Sequence, residues 1–275
     1  MIRLSAFADE ISPDLDEQLA TLKSEGISFL DLRGVERTNV LDLSDQQVAR
    51  IKKQLAAQGI GVAAIASPLG KVPIDSPFDA HWQRFERAIA LAQIFETSFI
   101  RIFSFYPPSN SASPEDWRDE VHRRLQTMTE RAQKANITLL HENEKGIYGD
   151  AIARCVDLLQ EGNSPYLQAA FDPANFIQCE QVPYPTAYEQ LRPWLRYVHV
   201  KDARLDGSIV AAGEGVARWP ELLQHLREDG YDGFFSLEPH LAAAGQYSGF
   251  SGPDLFRRAS QALQHMLWAM GWDYA

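Results

Sequence analysis

The sequence predicts an α/β fold, a single (β/α)8 TIM barrel that spans residues 1–275. Its 275 residues suit one such barrel, which typically needs about 250. Eight short apolar segments alternate with amphipathic segments along the chain, and this alternation is typical of repeated βα units. Because no low-complexity tract or interdomain linker interrupts the alternation, we expect one domain in which eight parallel strands close into a barrel.

The eight apolar segments are the candidate strands. Each contains aliphatic or aromatic residues that favour extended structure. They comprise residues 2–7, 29–32, 62–66, 99–103, 138–141, 167–171, 197–200 and 234–237.

The segments between the candidate strands have helical periodicity. Apolar residues recur every three or four positions, as at Leu15, Leu19 and Leu22, so one face of each segment can pack on the barrel. Ser44 stands where a helix would begin and Gly59 where it would end. Both residue types are typical of those positions.

The composition excludes several partners. A net charge of −11 and a pI near 5.1 lack the basic surface that nucleic-acid binding requires, so we expect no nucleic acid partner. No apolar stretch reaches the roughly 20 residues that span a bilayer, so we expect no membrane association. The N-terminus lacks the charged and apolar regions of a secretory signal. We therefore expect a cytoplasmic protein.

Polar side chains stand at the ends of the last four strands. In parallel barrels the functional groups lie at the carboxyl ends of the strands, where the βα loops form one rim. Glu142 follows strand five, Asp172 follows strand six, His199 lies in strand seven and Glu238 follows strand eight. We expect these four side chains to converge on the rim.

Three carboxylates beside one imidazole would repel one another unless they were protonated or neutralised, and a divalent cation is the simplest neutraliser. Singly, each residue has a structural alternative: Asp172 could cap a turn, His199 could be a satisfied core residue, and the glutamates could form rim salt bridges. Together they predict a site for one divalent metal ion. Oxygen-rich ligands with one nitrogen suit Mn, Mg or Co, and Zn is also compatible.

The segments around these residues resemble those of one superfamily. Their order resembles that of the xylose-isomerase-like TIM barrels, the sugar phosphate isomerase/epimerase family, which also includes inosose and dehydroshikimate dehydratases. The resemblance covers nearly the whole chain. The segments that carry it are His141-Glu142-Asn143-Glu144, Phe171-Asp172-Pro173-Ala174-Asn175, His199-Val200-Lys201-Asp202 and Leu237-Glu238-Pro239-His240.

The resemblance implies a metal-dependent sugar isomerase or epimerase. Glu142 and Glu238 would be catalytic: both would bind the metal, flank a small carbohydrate or polyol, and remove or return a proton beside its carbonyl. A metal-bound enediolate would be the stabilised intermediate. Asp172 and His199 would serve as plain ligands.

Further rim residues are candidates for substrate binding. Two are cations on predicted active-site loops of an acidic protein, so a phosphorylated sugar or a sugar acid stays open as substrate. Those two are Arg33 and Lys71, and the others are Asn175, Lys201, Asp202, His240 and Glu144. Additional charges at the rim are Asp9, Glu10 and Arg101.

Two positions depart from characterised ketose epimerases. Those enzymes typically have a histidine where this chain has Asn175, and a glutamate where it has Tyr148. The departures disfavour free ketoses as substrates. The related DNA-repair endonucleases also use a histidine at Asn175, and their DxH motif between the last two strands is missing here.

Two other functions stay open from the sequence. A lyase or dehydratase could use the same metal site, with His141, Lys201 or His240 as the general acid. A non-catalytic sugar-binding barrel is the other alternative, although an intact set of four ligands argues against it. The apolar C-terminal segment from Leu263 to Trp272 could close the barrel or contact a second subunit, which leaves a homo-oligomer open.

Overall fold

The computed structural model of the chain describes residues 1–109, 111–241 and 251–275. Eight parallel strands form its central sheet. They are β1 (Arg3–Ala6), β2 (Phe29–Leu32), β3 (Gly61–Ile65), β4 (Phe99–Ile102), β5 (Thr138–Glu142), β6 (Leu167–Phe171), β7 (Leu195–Val200) and β8 (Phe234–Leu237).

The sheet curls into a nearly closed barrel. Its hydrogen-bonded order is β1-β8-β7-β6-β5-β4-β3-β2, so the first and last strands of the chain lie side by side. The Ser5 hydroxyl on β1 donates to Asp31 Oδ2 on β2 at 2.7 Å and bridges the remaining seam. The predicted (β/α)8 TIM barrel is confirmed.

Helices cover the outside of the barrel and pack apolar side chains such as Leu19, Ile51 and Phe85 against it. None within the described parts of the chain is long and apolar enough to cross a membrane. The α-helices are α1 (Leu15–Ser24), α2 (Asp45–Gln58), α3 (Phe78–Ile94), α4 (Arg118–Lys134), α5 (Ile152–Gly162), α6 (Pro173–Gln178), α7 (Tyr188–Leu191), α8 (Trp219–Glu228) and α9 (Gly252–Ala269).

Shorter elements decorate the loops. Residues Gly34–Val35 pair antiparallel with Thr38–Asn39, and Asp202–Ala203 pair with Ile209–Val210. The 3-10 helices are Ala8–Glu10, Val40–Asp42, Pro114–Trp117, Tyr148–Asp150 and Arg192–Trp194, and a π-helical turn covers Pro183–Ala187.

The predicted strand positions agree with the structure. β2, β6 and β8 have the predicted bounds, and the other five differ by one or two residues at an end. The helix signals are also confirmed, since Ser44 forms a capping box with Gln47 and Gly59 ends α2 with a φ of 67°. A residue with a side chain would be strained in that left-handed conformation.

The C-terminal segment packs against the barrel of its own chain. Leu263 and Leu267 on α9 are buried, and Trp272 is partly buried against the core. The last residue accepts a hydrogen bond at 3.0 Å from the backbone of Leu4 on β1. Intramolecular packing therefore accounts for most of this apolar segment, and the homo-oligomer stays a prediction.

A buried polar layer lies inside the barrel on the strands β1, β2, β7 and β8. Asp31 Oδ2 accepts hydrogen bonds from the hydroxyls of Ser5 and Ser236, and Oδ1 accepts one from Tyr197 at 2.7 Å. Burial raises the pKa of Asp31 although these hydroxyls lower it. Each of the four residues lies two positions before a residue of the rim, so the layer supports half of that rim from below.

We expect Asp31→Ala to destabilise the fold by about 3 kcal/mol, because it would remove the acceptor that three buried hydroxyls share and leave Ser5 and Tyr197 with the 3.0 Å contact between them. Urea denaturation followed by circular dichroism measures this change. Asp254→Ala is the control, since that side chain is fully exposed and should leave the midpoint unchanged. A similar midpoint for both variants would contradict the assigned role of the layer.

Candidate metal centre

Four side chains from consecutive strands meet at the carboxyl end of the barrel. Glu142 ends β5, Asp172 directly follows β6, His199 lies in β7 and Glu238 directly follows β8. One ligand atom from each lies within 4.8 Å of the others. All four residues are at most 3% exposed. The structure therefore brings together the four residues that the sequence proposed as ligands.

Local backbone contacts place Asp172 and Glu142 in this cluster. Asp172 is the N-cap of α6, and its Oδ1 accepts a hydrogen bond from the backbone of Asn175 at 2.9 Å. The side-chain amide of Asn175 donates to Glu142 Oε1 at 3.1 Å. Asn143 bonds the backbone N–H and C=O of Asp172 at 3.0 and 2.9 Å. The ends of β5 and β6 are thereby locked together.

His199 stands at the centre of the carboxylates. Its Nδ1 lies 3.4 Å from Glu142 Oε1, 3.7 Å from Glu238 Oε2 and 4.0 Å from Asp172 Oδ2. The ring of Phe7 meets the imidazole edge to face, with 5.1 Å between their centroids. This contact fixes the plane of the imidazole.

Three basic side chains approach the carboxylates from outside the cluster. Lys201 Nζ lies 2.8 Å from Asp172 Oδ2 and 3.3 Å from Glu238 Oε2. Arg101 donates to Glu142 Oε2 at 3.0 Å, and Arg33 donates to Glu238 Oε1 at 3.0 Å. The negative charge of the cluster is thus partly balanced by the chain itself.

The pKa values reflect this competition between burial and charge. Burial would raise the pKa of Glu142, but His199 and Arg101 outweigh it and lower that pKa to about 2. Burial raises the pKa of Asp172 to about 6 despite the nearby Lys201. His199 has a raised pKa because the carboxylates, Glu142 foremost, outweigh the effect of its burial. The carboxylates therefore act on His199 as negative charge, while burial disfavours the ionised form of Asp172.

These residues fit a divalent cation. Among the described residues, the buried atom His199 Nδ1 makes no hydrogen bond of good geometry, and Asp172 Oδ2 accepts none although Lys201 Nζ forms an ion pair with it at 2.8 Å. Such unsatisfied buried atoms are uncommon in folded proteins. A cation between them would satisfy both and would offset the negative charge of the carboxylates. Three carboxylates and one imidazole, with no thiolate, suit Mn, Mg or Co, with Zn also compatible.

The remaining rim candidates are already engaged in contacts. Arg33 bonds Asp9 Oδ2 and Glu10 Oε1, both at 2.8 Å, in addition to Glu238. His240 Nε2 lies 3.0 Å from Glu10 Oε1 and 3.6 Å from Glu238 Oε1, and it is about one third exposed. His240 is therefore both close to the cluster and open to the rim.

Lys71 and Glu144 form their own pair farther out on the rim. Lys71 Nζ lies 2.8 Å from Glu144 Oε2 and 4.3 Å above the ring of Phe103. Both side chains are partly exposed. They are placed where a substrate could reach them.

Asp202 faces a loop instead of the cluster. Its carboxylate accepts backbone hydrogen bonds from Ala203, Gly213, Gly215 and Ala217 at 2.8 to 3.1 Å. A Cβ atom at Gly215 would lie 2.2 Å from this carboxylate, so only glycine fits there. Asp202 thus shapes the loop after β7, and the amides of the GxG turn are occupied by it.

Three residues that support the cluster were missed or undervalued in the sequence. Asn143 holds Asp172, Phe7 packs on His199, and Arg101 contacts the glutamates. A signal was present for Arg101, because a charged residue inside an otherwise apolar strand must find a partner. Phe7 carried no such signal, since an aromatic residue at a strand end is ordinary core material.

A family model of the xylose isomerase-like TIM barrel matches residues 19–265. The chain belongs to this family. The resemblance of the four short segments is therefore confirmed over most of the chain. No curated protein matches the chain by sequence.

Solved structures show the same fold. A D-tagatose 3-epimerase-like protein is 16% identical, with a TM-score of 0.79 and coverage of 98% of both chains. A probable 3-DHS dehydratase, AsbF from Bacillus anthracis, is 20% identical, with a TM-score of 0.75 over 96% of this chain and 99% of that one. A family protein from Mycobacterium smegmatis in complex with magnesium is 16% identical, with a TM-score of 0.71 over 97% of both chains.

We expect the purified protein to bind about one Mn²⁺ per chain, and Asp172→Asn to weaken that binding at least tenfold, since it removes a charged ligand. Equilibrium dialysis with elemental mass spectrometry measures the bound metal. Glu144→Gln is the control, because this rim carboxylate lies outside the cluster and should leave the affinity unchanged. Equal affinity in both variants would contradict the assigned ligand.

Proposed function

We propose that the protein is a divalent-metal-dependent isomerase or epimerase that acts on a small carbohydrate or polyol by moving a proton beside a carbonyl. The observation that carries this proposal is the cluster itself, in which two glutamates approach one imidazole from strands β5 and β8. A non-catalytic barrel would have no need for two buried carboxylates held in this way.

When bound, the cation would polarise the carbonyl and hydroxyl oxygens of the substrate and stabilise the enediolate that forms between them. Glu142 and Glu238 supply the proton transfer. Each has one oxygen toward His199 and one turned away from it, toward a basic side chain. A carboxylate that stays ionised in such a setting can accept a proton from carbon.

Two carboxylates on different strands allow two outcomes. If one removes the proton and the other returns it from the opposite face, the product is an epimer. If one carboxylate does both, with proton exchange between neighbouring oxygens, the product is an aldose or ketose isomer. Asp172, His199 and Lys201 hold the charges and orientations on which either outcome depends.

The charges of the site favour an uncharged substrate. Arg33 is committed to three carboxylates and Lys71 to Glu144, while Arg101 and Lys201 face the glutamates and Asp172. Residues 110 and 242–250 contain no lysine, arginine or histidine. A phosphate group would therefore find no unpaired buried cation at the cluster, and burying it unpaired would cost several kcal/mol.

The departures from the ketose epimerases at Asn175 and Tyr148 narrow the range of substrates further. The side-chain amide of Asn175 donates hydrogen bonds to Glu142 and to the carbonyl of Asn143. The Tyr148 hydroxyl donates to Asp157 on α5, away from the cluster. Neither residue is free to bind a ketose in the way that a histidine and a glutamate would. We propose a sugar derivative or cyclic polyol ketone as substrate, with His240, Glu144 and Lys71 as the groups that bind its hydroxyls.

A dehydratase is the second candidate. His240 is the residue that favours it, because a partly exposed imidazole 3.6 Å from Glu238 could protonate a leaving hydroxyl beside the carbon that loses its proton. The structural likeness to a probable dehydratase is consistent with it. Both candidate reactions begin with removal of the proton beside the carbonyl. They differ in whether the proton is then returned or a hydroxyl group leaves.

We expect the manganese-loaded protein to exchange the proton beside the carbonyl of an uncharged sugar derivative or inosose for deuterium, and to act poorly on the corresponding phosphate esters. Glu142→Gln and Glu238→Gln should each slow this exchange at least about 100-fold, because each removes a proton-transferring group. Proton NMR in deuterated water measures the exchange, and the product spectrum separates epimer, isomer and dehydrated ketone.

Glu36→Gln is the matched control, since this exposed glutamate pairs only with Arg50 and should exchange at the wild-type rate. Absence of exchange with the whole panel, in protein shown to hold one metal ion per chain, would refute the proposed chemistry. A preference for phosphate esters would refute the substrate class alone.

A further inference from the structure

Arg101 on β4 is held so tightly that its guanidinium has one orientation. The group lies over the rings of Phe7 and Phe103, at 4.9 and 5.0 Å from their centroids. One terminal nitrogen donates to the carbonyl of Ala66 at 3.2 Å, and the side chain is 7% exposed. The guanidinium cannot turn without losing these contacts. Its other terminal nitrogen is therefore aimed at a fixed point.

That fixed point lies between the two glutamates. Arg101 Nη1 is 3.0 Å from Glu142 Oε2 and 3.6 Å from Glu238 Oε1. The opposite oxygens, Glu142 Oε1 and Glu238 Oε2, are those that face His199. The two oxygens of each glutamate therefore face different groups. One oxygen faces His199 in the cluster, and the other faces the same nitrogen of Arg101.

We infer that Arg101 is a positioning residue that assigns the two oxygens of each glutamate to different tasks. It keeps Glu142 Oε1 and Glu238 Oε2 for the metal and holds the other two oxygens together as the proton-transferring pair. A single cation shared by both also offsets the repulsion between them. This inference rests on the proposed function, since it concerns the proton transfer that the glutamates perform.

The chemistry of the two groups is compatible with this task. Arginine remains protonated in proteins, so Arg101 takes no proton from the substrate and orients only. A carboxylate oxygen has two lone pairs. Glu142 Oε2 accepts from Arg101, and Glu238 Oε1 accepts from Arg33 and lies within ion-pair distance of Arg101, so each oxygen keeps a second lone pair for a substrate proton. Arg33 also contacts Glu238 Oε1. Among the ion pairs described, Arg101 is the arginine that reaches both glutamates, on the oxygens that face away from His199.

The test compares Arg101→Met and Arg101→Lys with Arg124→Met. Arg124 is the matched control because it is equally buried, lies 5.0 and 5.3 Å from the rings of Phe78 and Phe105, and is paired with Glu120 on α4. Circular dichroism first establishes that each variant is folded. Metal affinity is then measured by dialysis with manganese, and proton exchange at saturating metal by NMR.

We expect Arg101→Met to bind one manganese ion with an affinity within about tenfold of the wild type and to exchange protons about 100-fold more slowly, as a misplaced catalytic group would. Arg101→Lys should recover only part of the rate, because one ammonium cannot keep both the stacking and the two contacts. Arg124→Met should exchange at the wild-type rate. Added guanidinium ion should raise the rate of Arg101→Ala.

The contrary results are equally defined. Wild-type exchange in Arg101→Met or Arg101→Lys would refute the inference, and so would loss of the metal together with the activity, since Arg101 would then only support the metal ligands. An equal loss in Arg124→Met would show a general effect of removing a buried arginine and would also refute the inference.

If the wild type itself shows no exchange while holding its metal, the proposed function is refuted, and the inference that rests on it is refuted with it. If Arg101→Met does not fold, Arg101→Lys and guanidinium rescue of Arg101→Ala decide.

Discussion

Repulsion among three buried carboxylates is the constraint on which the rest of this structure depends. Glu142, Asp172 and Glu238 offer ligand atoms within 4.8 Å of one another, together with His199, in a region closed to solvent. Like charges at that distance in a poorly polarisable interior destabilise a fold by several kcal/mol unless cations compensate them. The barrel tolerates the cluster because basic side chains surround it and because it offers a place for a divalent ion.

The compensation is arranged in layers around the cluster. Lys201, Arg101 and Arg33 each contact one or two of the carboxylates. Further contacts fix Arg101 and Arg33 in place. Below them, the Asp31 layer ties four strands together through hydroxyl groups. The site is therefore rigid before any ligand arrives, and this preorganisation is what proton transfer at carbon requires. The same layers leave the buried cations engaged, and the proposal of an uncharged substrate rests on this engagement.

The sequence predicted the barrel and the convergence of four polar side chains for clear physical reasons. Alternating periodicity identifies strands and helices. Because a parallel barrel places the carboxyl ends of all its strands on one rim, Glu142 and Glu238 could be assigned to one site although they lie 96 positions apart in the sequence. The ion-pair partners of the charged side chains could not be predicted in this way. Arg33 and Lys71 looked available for an anion, but only the structure shows Arg33 among three carboxylates and Lys71 on Glu144.

Asp202 shows the same limit of sequence reasoning. Its place directly after Lys201 and three residues after His199 suggested a role at the site. The loop after β7 instead folds its backbone amides around that carboxylate. The direction in which a side chain points after a strand ends depends on the loop conformation, which has no simple periodicity. Strand parity predicts inward-facing residues such as Tyr197 and Ser236, and applying it more widely would have found the Asp31 layer.

The most direct test of this account is the position of a metal ion in a crystal of the protein grown with manganese, determined by anomalous diffraction. The account predicts one peak bonded to Glu142, Asp172, His199 and Glu238 at about 2.0 to 2.3 Å, the range of such ligands. Absence of a peak at this cluster, or a peak bonded to other residues with the cluster unchanged, would contradict it.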